Sequence, residues 1–481
     1  MMTDEFMELP EGWENVTLGD LGDWSSGGTP LRSHPEYYNG DIPWVKTGNL
    51  PDGFIQEIDE TITKEGLINS SAKIFPAASL IVAMYGATIG KLGILKEAAA
   101  TNQACGALIA KGITEKIIPY IFYYLLLSRE DLRKIGQGGA QPNISQAILK
   151  GYLFPLPPLN EQKRIVAKIE ALQERSQRVK AELEAIRPLL DKFRQSVLAA
   201  AFRGDLTKDW REKNPDIEPA SELLERIKIE QEIWYDKECQ KAVDCGRRKP
   251  LNPKKNKKSD KPIFMIDNVP DTWKVIRLED ISYLVTDGTH KTPKYQEQGI
   301  PFLSVKNVRP FKIYDQDIKF VSQEEYEVIN SRCNPEKGDI LYTKVGATFG
   351  YAAINNLSYD FSIFVSLALI KPVNPYFSSE YAEAVMNSPI IYSQAKERVS
   401  GIGTPDLHLI EIRDFKIPLP PLPEQKEIVK RIESLFKIAG TIEQKYQKAE
   451  TDLKTLNQSI LAKAFRGELV PQDPNDEPAS T

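Results

Sequence analysis

Leu156-Pro-Pro-Leu-Asn-Glu-Gln-Lys163 recurs as Leu419-Pro-Pro-Leu-Pro-Glu-Gln-Lys426, and Gln195-Ser-Val-Leu-Ala-Ala-Ala-Phe-Arg-Gly204 recurs as Gln458-Ser-Ile-Leu-Ala-Lys-Ala-Phe-Arg-Gly467. Both pairs have the same separation, so 156–206 aligns with 419–469 without a gap. Working outward, Pro10-x-x-Trp13 matches Pro270-x-x-Trp273, Ile42-Pro-Trp44 matches Ile300-Pro-Phe302, and Gly86-Ala-Thr-Ile-Gly90 matches Gly346-Ala-Thr-Phe-Gly350. Self-similarity of this extent makes the chain a tandem duplication, with small insertions confined to the globular parts.

The gapless segment reads as a long helix. Ile165, Ile169, Leu172, Val179, Leu183, Ile186, Leu190, Phe193 and Val197 alternate steps of four and three, with Ser176 at the missed step. The second copy continues the register through Ile428, Ile432, Leu435, Ala439, Ile442, Tyr446, Ala449, Leu453, Leu456 and Ile460. A 3.5-residue period is a coiled-coil seam. Proline runs precede each helix and Gly204 and Gly467 end them; Pro188 predicts a local kink. Each helix would be roughly 65 Å long at 1.5 Å per residue. Two apolar stripes of that length are expected to pack on each other, antiparallel, and to hold the globular parts apart. The expected class is α+β: two mixed globular domains and two long coiled-coil helices in a pseudo-two-fold duplication. The expected segments are 1–158, the first globular domain; 159–204, the first helix; 205–262, a helical and then basic linker; 263–421, the second globular domain; 422–468, the second helix; and 469–481, a tail.

Between the halves, Leu223, Leu224, Ile227, Ile229, Ile233 and Trp234 outline a charged amphipathic helix from Ala220 to about Val243. The basic stretch from Arg247 to Lys261 that follows reads as a solvated linker or as a DNA-binding arm. Glu218-Pro-Ala-Ser221 recurs as Glu477-Pro-Ala-Ser480, so the repeated unit is cyclic: domain, helix, start of linker.

The chain has 481 residues, 41% of them hydrophobic and 27% charged, with a net charge of −5. That balance gives no global sign of nucleic-acid binding, although one basic face can coexist with acidic helices. Four cysteines without a CxxC pair and only three histidines show no zinc spacing. The N-terminal segment lacks a signal pattern, and Ile121 to Leu127 is too short to span a bilayer. A soluble, cytoplasmic protein is expected. Gly86-Ala-Thr-Ile-Gly-Lys91 lacks the spacing and the Ser or Thr of a phosphate loop. Asn374-Pro-Tyr-Phe377 lacks the second proline of a methyltransferase clamp. Pro405-Asp406 with Glu424-x-Lys426 imitates a nuclease pattern, but the first copy has Asn143 where the carboxylate would stand. No catalytic residues, metal site or cofactor are assigned to the chain itself.

The recurrent features are polar loops on a shared frame. Lys46, Thr47 and Asn49 line up with Lys306 and Asn307; Tyr85, Thr88 and Lys91 with Lys344, Thr348 and Tyr351; Gln137 and Gln141 with Thr404. His290 and Lys291 join them. Asn and Gln side chains suit adenine edges, and Lys suits guanine or phosphate. Equivalent loops with altered side chains look like two readers of different sequences. The matching helix ends, Glu161, Gln162, Lys163, Phe202 and Arg203 in one copy and Glu424, Gln425, Lys426, Phe465 and Arg466 in the other, admit two readings. They are helix caps and domain contacts, or equivalent docking sites for another protein.

The chain resembles the specificity (S) subunit of type I restriction–modification systems. The likeness rests on Gly27-Gly-Thr-Pro30 leading to Tyr38-Asn-Gly-Asp-Ile-Pro-Trp-Val-Lys-Thr-Gly-Asn49, on Pro-Leu-Pro-Pro-Leu-x-Glu-Gln-Lys at both helix starts, and on Ala-Phe-Arg-Gly-[Asp/Glu]-Leu at both helix ends. Pro219-Ala-Ser-Glu-Leu-Leu-Glu-Arg-Ile227 adds to it. The resemblance implies two target-recognition domains, each reading half of a bipartite site in double-stranded DNA. It also implies two modification subunits carrying S-adenosylmethionine and methylating adenine, with restriction subunits adding ATP- and magnesium-dependent chemistry. The chain itself would be non-catalytic, without a cofactor or a membrane association. The rival reading is a coiled-coil scaffold that binds proteins and never touches DNA.

Overall fold

A computed structural model of the chain describes residues 9–136, 143–244, 246, 259, 264–266, 268–399 and 405–480. It divides into two compact units, residues 1–185 with 446–481 and residues 186–445. Two long helices, Leu159–Arg203 and Leu422–Ala464, each pass from one unit into the other. The first continues as helix through Pro188. Among the described residues, no helix is long and apolar enough to cross a membrane.

In the N-terminal unit a five-stranded sheet runs in the order Trp24–Ser26, Cys105–Leu108, Leu80–Ala83, Leu92–Ile94, Gly53–Phe54. Leu80-Ile-Val-Ala83 is buried throughout, the pattern of a strand covered on both faces. A four-stranded sheet, ordered Thr61–Ile62, Tyr38–Val45, Ala99–Thr101, Ile74–Phe75, contains one parallel pair, with Trp44 opposite Ala100. Glu14–Thr17 pairs antiparallel with Leu153–Leu156 and so ties the domain's two ends together. Helix Ile113–Leu127 buries most of its surface, as its apolar run requires.

The C-terminal unit repeats this plan. Its main sheet runs Ser282–Asp287, Leu367–Pro372, Ile340–Thr343, Ala352–Ile354. A second sheet, Lys319–Val321, Ile300–Leu303, Ser362–Ile363, again holds one parallel pair, with Phe302 opposite Ser362. Lys274–Arg277 closes on Lys416–Leu419 as Glu14–Thr17 closes on Leu153–Leu156. Helices Ser379–Met386 and Pro389–Arg398 begin at Ser378 and Ser388, whose hydroxyls accept from Tyr381 N and Ile391 N.

Each unit's core takes in one helix start and the other helix's end. The N-terminal core combines Ile165 and Ile169 with Ile460, Leu461, Ala464 and Phe465. The C-terminal core combines Ile428 and Ile432 with Val197, Leu198, Ala201 and Phe202. Within the C-terminal unit the helix segments are antiparallel, since Arg194 meets Glu443 at 2.7 Å while Arg431 donates to Leu206 O at 2.8 Å. The seam is not dry throughout. Val179, Phe193, Ile442 and Leu456 are exposed, whereas Ser176 is buried. A straight helix at 3.6 residues per turn drifts about 20° per heptad away from a 3.5-residue stripe, which turns some seam positions outward.

Two glycine pairs carry the repeat's geometry. Gly204 and Gly467 end the helices at φ +86° and +72°, and a Cβ there would meet Pro270 Cγ at 2.5 Å and Pro10 Cγ at 2.4 Å. Both helix exits therefore need glycine for conformation and for space. At Gly27 and Gly288 a Cβ would lie 2.0 Å from Thr101 O and from Ile363 O. Beyond the helix ends, Ala220 N donates to Thr272 O at 3.0 Å and Ala479 N to Gly12 O at 3.1 Å, so the repeated Glu-Pro-Ala-Ser segments dock in the same way.

Glu383 couples a helix to a sheet: its Oε1 accepts Ile354 N at 2.8 Å, and burial pushes its carboxyl up to about 7 from 4.5. The folded state therefore holds a proton that the unfolded state releases, so the Glu383 contribution to stability falls as pH rises from about 4.5 to about 7 and then levels off. Glu383→Gln keeps an acceptor without the titration. Across urea midpoints from about pH 4 to about pH 8, its stability relative to wild type should rise through that window by on the order of 2 kcal/mol. A difference independent of pH would overturn this account.

Candidate nucleic-acid interface and helix ends

Main-chain hydrogen bonds gather the candidate loops of each unit around one turn. In the N-terminal unit that turn is 102–105: Asn102 N donates to Val45 O, Met84 N to Ala104 O, and Gly27 N to Cys105 O, while Ile144 N donates to Met84 O. The loops that begin at Gly27, Lys46 and Tyr85, and the one that ends at Asn143, thus share one edge. In the C-terminal unit the turn is 364–367: Phe364 N donates to Leu303 O, Lys344 N to Ser366 O, Gly288 N to Leu367 O, and Leu407 N to Lys344 O.

Within the N-terminal cluster, Lys46 Nζ donates to Glu60 Oε1 at 2.6 Å and Arg32 Nη2 to Glu60 Oε2 at 2.8 Å. The hydrogen bond from Lys46, seconded by Arg32, holds the Glu60 carboxyl below its ordinary value. The Arg32 guanidinium lies 4.5 Å from the Tyr38 ring centroid and 5.3 Å from that of Trp44. Arg32 and Glu60 escaped the sequence reading because neither lies in a repeated motif. Thr47 opens the short helix Thr47–Asn49 and is half-buried. Thr88 Oγ1 donates to Tyr85 O, Tyr85 is exposed, and Lys91 is half-buried. Gln137 and Gln141 lie outside the described residues, as does Thr404; so does the basic stretch 247–261, Ser259 apart.

In the C-terminal cluster His290, Lys291 and Lys306 are exposed. Thr348 O accepts from Thr343 Oγ1 at 2.6 Å, and that hydroxyl also accepts Tyr351 N at 2.8 Å.

Three expectations need correction. Asn49 and Asn307 are caps: Asn49 Oδ1 accepts Lys46 N at 2.9 Å and Asn307 Oδ1 accepts Ser304 N at 3.0 Å. Asn307 is also buried, with its amide given to Tyr314 O at 3.1 Å, so it has no free edge for a base. Lys344 is 4% exposed and lies between Asp287 at 3.6 Å and Asp406 at 3.8 Å. It braces the cluster from inside. The matching of Tyr85 to Lys344 is one residue out. Tyr85 bridges Asn143 as Val345 bridges Asp406, which sets Met84 against Lys344. Likewise Ser26 opposite Gly106 corresponds to Asp287 opposite Ala368. A buried charged pair in one unit replaces a Ser and a Met in the other.

The helix starts are occupied from within the chain. Glu161 Oε2 accepts Trp13 Nε1 at 3.0 Å, and Glu424 Oε2 accepts Trp273 Nε1 at 2.8 Å. Gln162 Nε2 donates to Pro157 O at 2.8 Å and Gln425 Nε2 to Pro420 O at 3.2 Å. Burial raises the Glu161 carboxyl above its usual value, against the Trp13 hydrogen bond. Phe202 and Phe465 are core residues, with ring centroids 5.4 Å from Tyr381 and 4.9 Å from Tyr120. These six side chains are buried as capping and core residues, which leaves them little surface for docking. Lys163, Arg203, Lys426 and Arg466 remain exposed; Arg203 and Arg466 pair with Asp205 and Glu468.

A model of the type I restriction modification DNA specificity domain matches residues 10–186 and again residues 270–451. The chain belongs to that family. Among curated relatives of this DNA specificity family, the type I restriction enzyme EcoKI specificity subunit of Escherichia coli (strain K12) is 26% identical, over 97% of this chain and 91% of its own length. The EcoBI specificity subunit of Escherichia coli is 29% identical over 97% of this chain and 88% of its own length. Among solved structures, a chain from a type I R-M system, described for its complex assembly and conformational transition, covers 96% of this chain and 100% of its own length, with a TM-score of 0.63 at 20% identity. The HsdS subunit from Thermoanaerobacter tengcongensis covers 97% of this chain and 100% of its own, with a TM-score of 0.51 at 18% identity. At those identities the likeness speaks for the fold, and it agrees with an α+β chain carrying two long helices. Membership in the DNA specificity family leaves the scaffold reading without support.

Proposed function

We propose that the two loop clusters of this DNA specificity subunit each read one half of a bipartite, asymmetric site in double-stranded DNA, and that the paired helices set the spacer between the halves. One observation carries the reading: the same loop cluster is built twice on the same frame with unlike side chains, Ser26 and Met84 in one and Asp287 and Lys344 in the other. A shared frame suits two copies of one partner, and unlike loops suit two unlike half-sites.

In this proposal the chain is non-catalytic and needs no cofactor. Two modification subunits bring S-adenosylmethionine and methylate adenine. Restriction subunits, where they join, bring ATP- and magnesium-dependent chemistry. The exposed cations Lys163, Arg203, Lys426 and Arg466 are what the helix ends offer those subunits, and the chain works in the cytoplasm, where the DNA is. A helix of 45 residues spans roughly 68 Å at 1.5 Å per residue, about two turns of duplex. The test is to map methyladenine in host DNA with and without this gene, and again with four residues inserted near 180 and near 443. The wild type should define a bipartite motif and the insertion should lengthen its unread spacer. An unchanged spacer would sink the ruler, and a single continuous motif would sink the two-reader reading.

A further inference from the structure

A three-loop junction in the C-terminal unit joins the candidates His290 and Lys344 to Arg332, which is not among them. Asp287, 3% exposed at its side chain, ends the strand Ser282–Asp287. Arg332 Nη2 donates to Asp287 Oδ1 at 2.9 Å from the loop after helix Gln323–Asn330. His290 Nε2 approaches the same oxygen at 3.3 Å, and Lys344 Nζ lies 3.6 Å from Oδ2. Lys344 is buried, but Arg332 is 58% exposed. The arrangement is a buried carboxylate that holds one end of an outward-facing guanidinium.

We propose that Arg332 reads a guanine in the half-site of the C-terminal unit and that Asp287 is the positioning residue that aims it. The assignment rests on the half-site reading above. A guanidinium with one Nη committed to a fixed carboxylate keeps further N–H donors in a set plane. Guanine's O6 and N7 take two parallel donors, the most frequent specific arginine contact in the major groove. Holding the side chain in advance removes part of its ordering cost.

The charge balance argues against a phosphate role. Asp287 and Asp406 face Lys344 and Arg332, two carboxylates against two cations. Arg332 gains less from a phosphate than an unpaired cation would, while its directional hydrogen bonds to a base edge are unaffected. The N-terminal unit has Ser26 where Asp287 stands, and Lys73 Nζ goes instead to the neighbouring Ser25 Oγ at 3.0 Å. A hydroxyl there neither balances nor fixes a cation as a buried carboxylate does. The device belongs to one unit, as two unlike half-sites require.

The experiment uses the full chain in complex with its modification subunits. Methyladenine mapping of host DNA and salt titrations of duplex binding are compared for wild type, Arg332→Ala, Arg332→Lys and Asp287→Asn. The proposal predicts that Arg332→Ala relaxes one G·C position in one half-site by about 10- to 100-fold in relative methylation. The other half-site and the slope of log K against log salt should stay unchanged. Arg332→Lys should not restore the preference, because a point charge lacks the fork. Asp287→Asn should relax the same position in part. Arg332 is mostly exposed, so the two Arg332 variants keep the test open should Asp287→Asn not fold. A motif left intact by Arg332→Ala overturns the assignment alone. So does uniform weakening on every sequence with a slope reduced by about one, the mark of a phosphate contact. A wild-type complex that methylates without a bipartite motif overturns the half-site reading, and this assignment with it.

Discussion

Phe465→Ala should loosen the N-terminal unit although residue 465 lies close to the other end of the chain. The Phe465 ring sits 4.9 Å from that of Tyr120 and 5.1 Å from that of Tyr124, inside the core that also holds Trp13 and Phe154. Truncating a buried phenylalanine costs about 3–5 kcal/mol in lost transfer energy and cavity formation. Hydrogen exchange should therefore accelerate across 13–156 while 273–419 keeps its protection. Phe202→Ala should do the reverse, since Phe202 packs on Tyr381 in the C-terminal core. If each variant loosened the domain nearest to it in sequence, the crosswise assembly of the cores would be wrong.

The second large effect is expected at Arg211. Its Nη1 donates to Glu424 Oε1 at 2.5 Å, and the same carboxylate accepts Thr207 Oγ1 at 2.7 Å and Trp273 Nε1 at 2.8 Å. Glu424 is fully buried and the Arg211 side chain is 18% exposed. Arg211→Ala leaves an anion in the core with only neutral donors, a change that costs about 3–5 kcal/mol. Arg211→Ala with Glu424→Gln should recover a large part of the loss, because the double variant carries no stranded charge. A double-mutant cycle on urea midpoints reads this directly; strict additivity would show that the pair is not coupled. In the N-terminal unit Arg164 is taken by Asp476 at 2.6 Å and gives Glu161 no contact hydrogen bond. Glu161 accepts from the Trp13 indole, and burial raises its carboxyl against that hydrogen bond.

The architecture was legible wherever one physical rule governed many residues. A seam sustained over a whole helix, proline at its start and glycine at its end place the elements without tertiary information. Rules that act on single residues misled. Glu161-Gln162 and Glu424-Gln425 admit capping or docking from the sequence alone, and burial of both pairs decides for capping. The available signal was the tryptophan repeated at 13 and 273, whose indole N–H needs an acceptor when buried. The matching of Tyr85 to Lys344 slipped by one residue because Leu80–Ala83 and Ile340–Thr343 are buried on both faces. Their apolar runs carry no alternation to fix the register. The junction at Asp287 was invisible for another reason. Positions 287, 332 and 344 come from separate loops, and only the folded sheet brings them to one carboxylate.

The way each core borrows a helix end from the other repeat bears on how such a chain could have arisen. A protein of one repeat, ending after its first helix, would carry Phe202 with no aromatic socket and a domain with no helix end to fill it. Two identical copies could supply each other's missing part, and a symmetric pair of that kind would present the same reader twice. Fusing two such genes frees the readers to diverge, while the shared sockets, Tyr120 for Phe465 and Tyr381 for Phe202, keep both halves bound to a common plan.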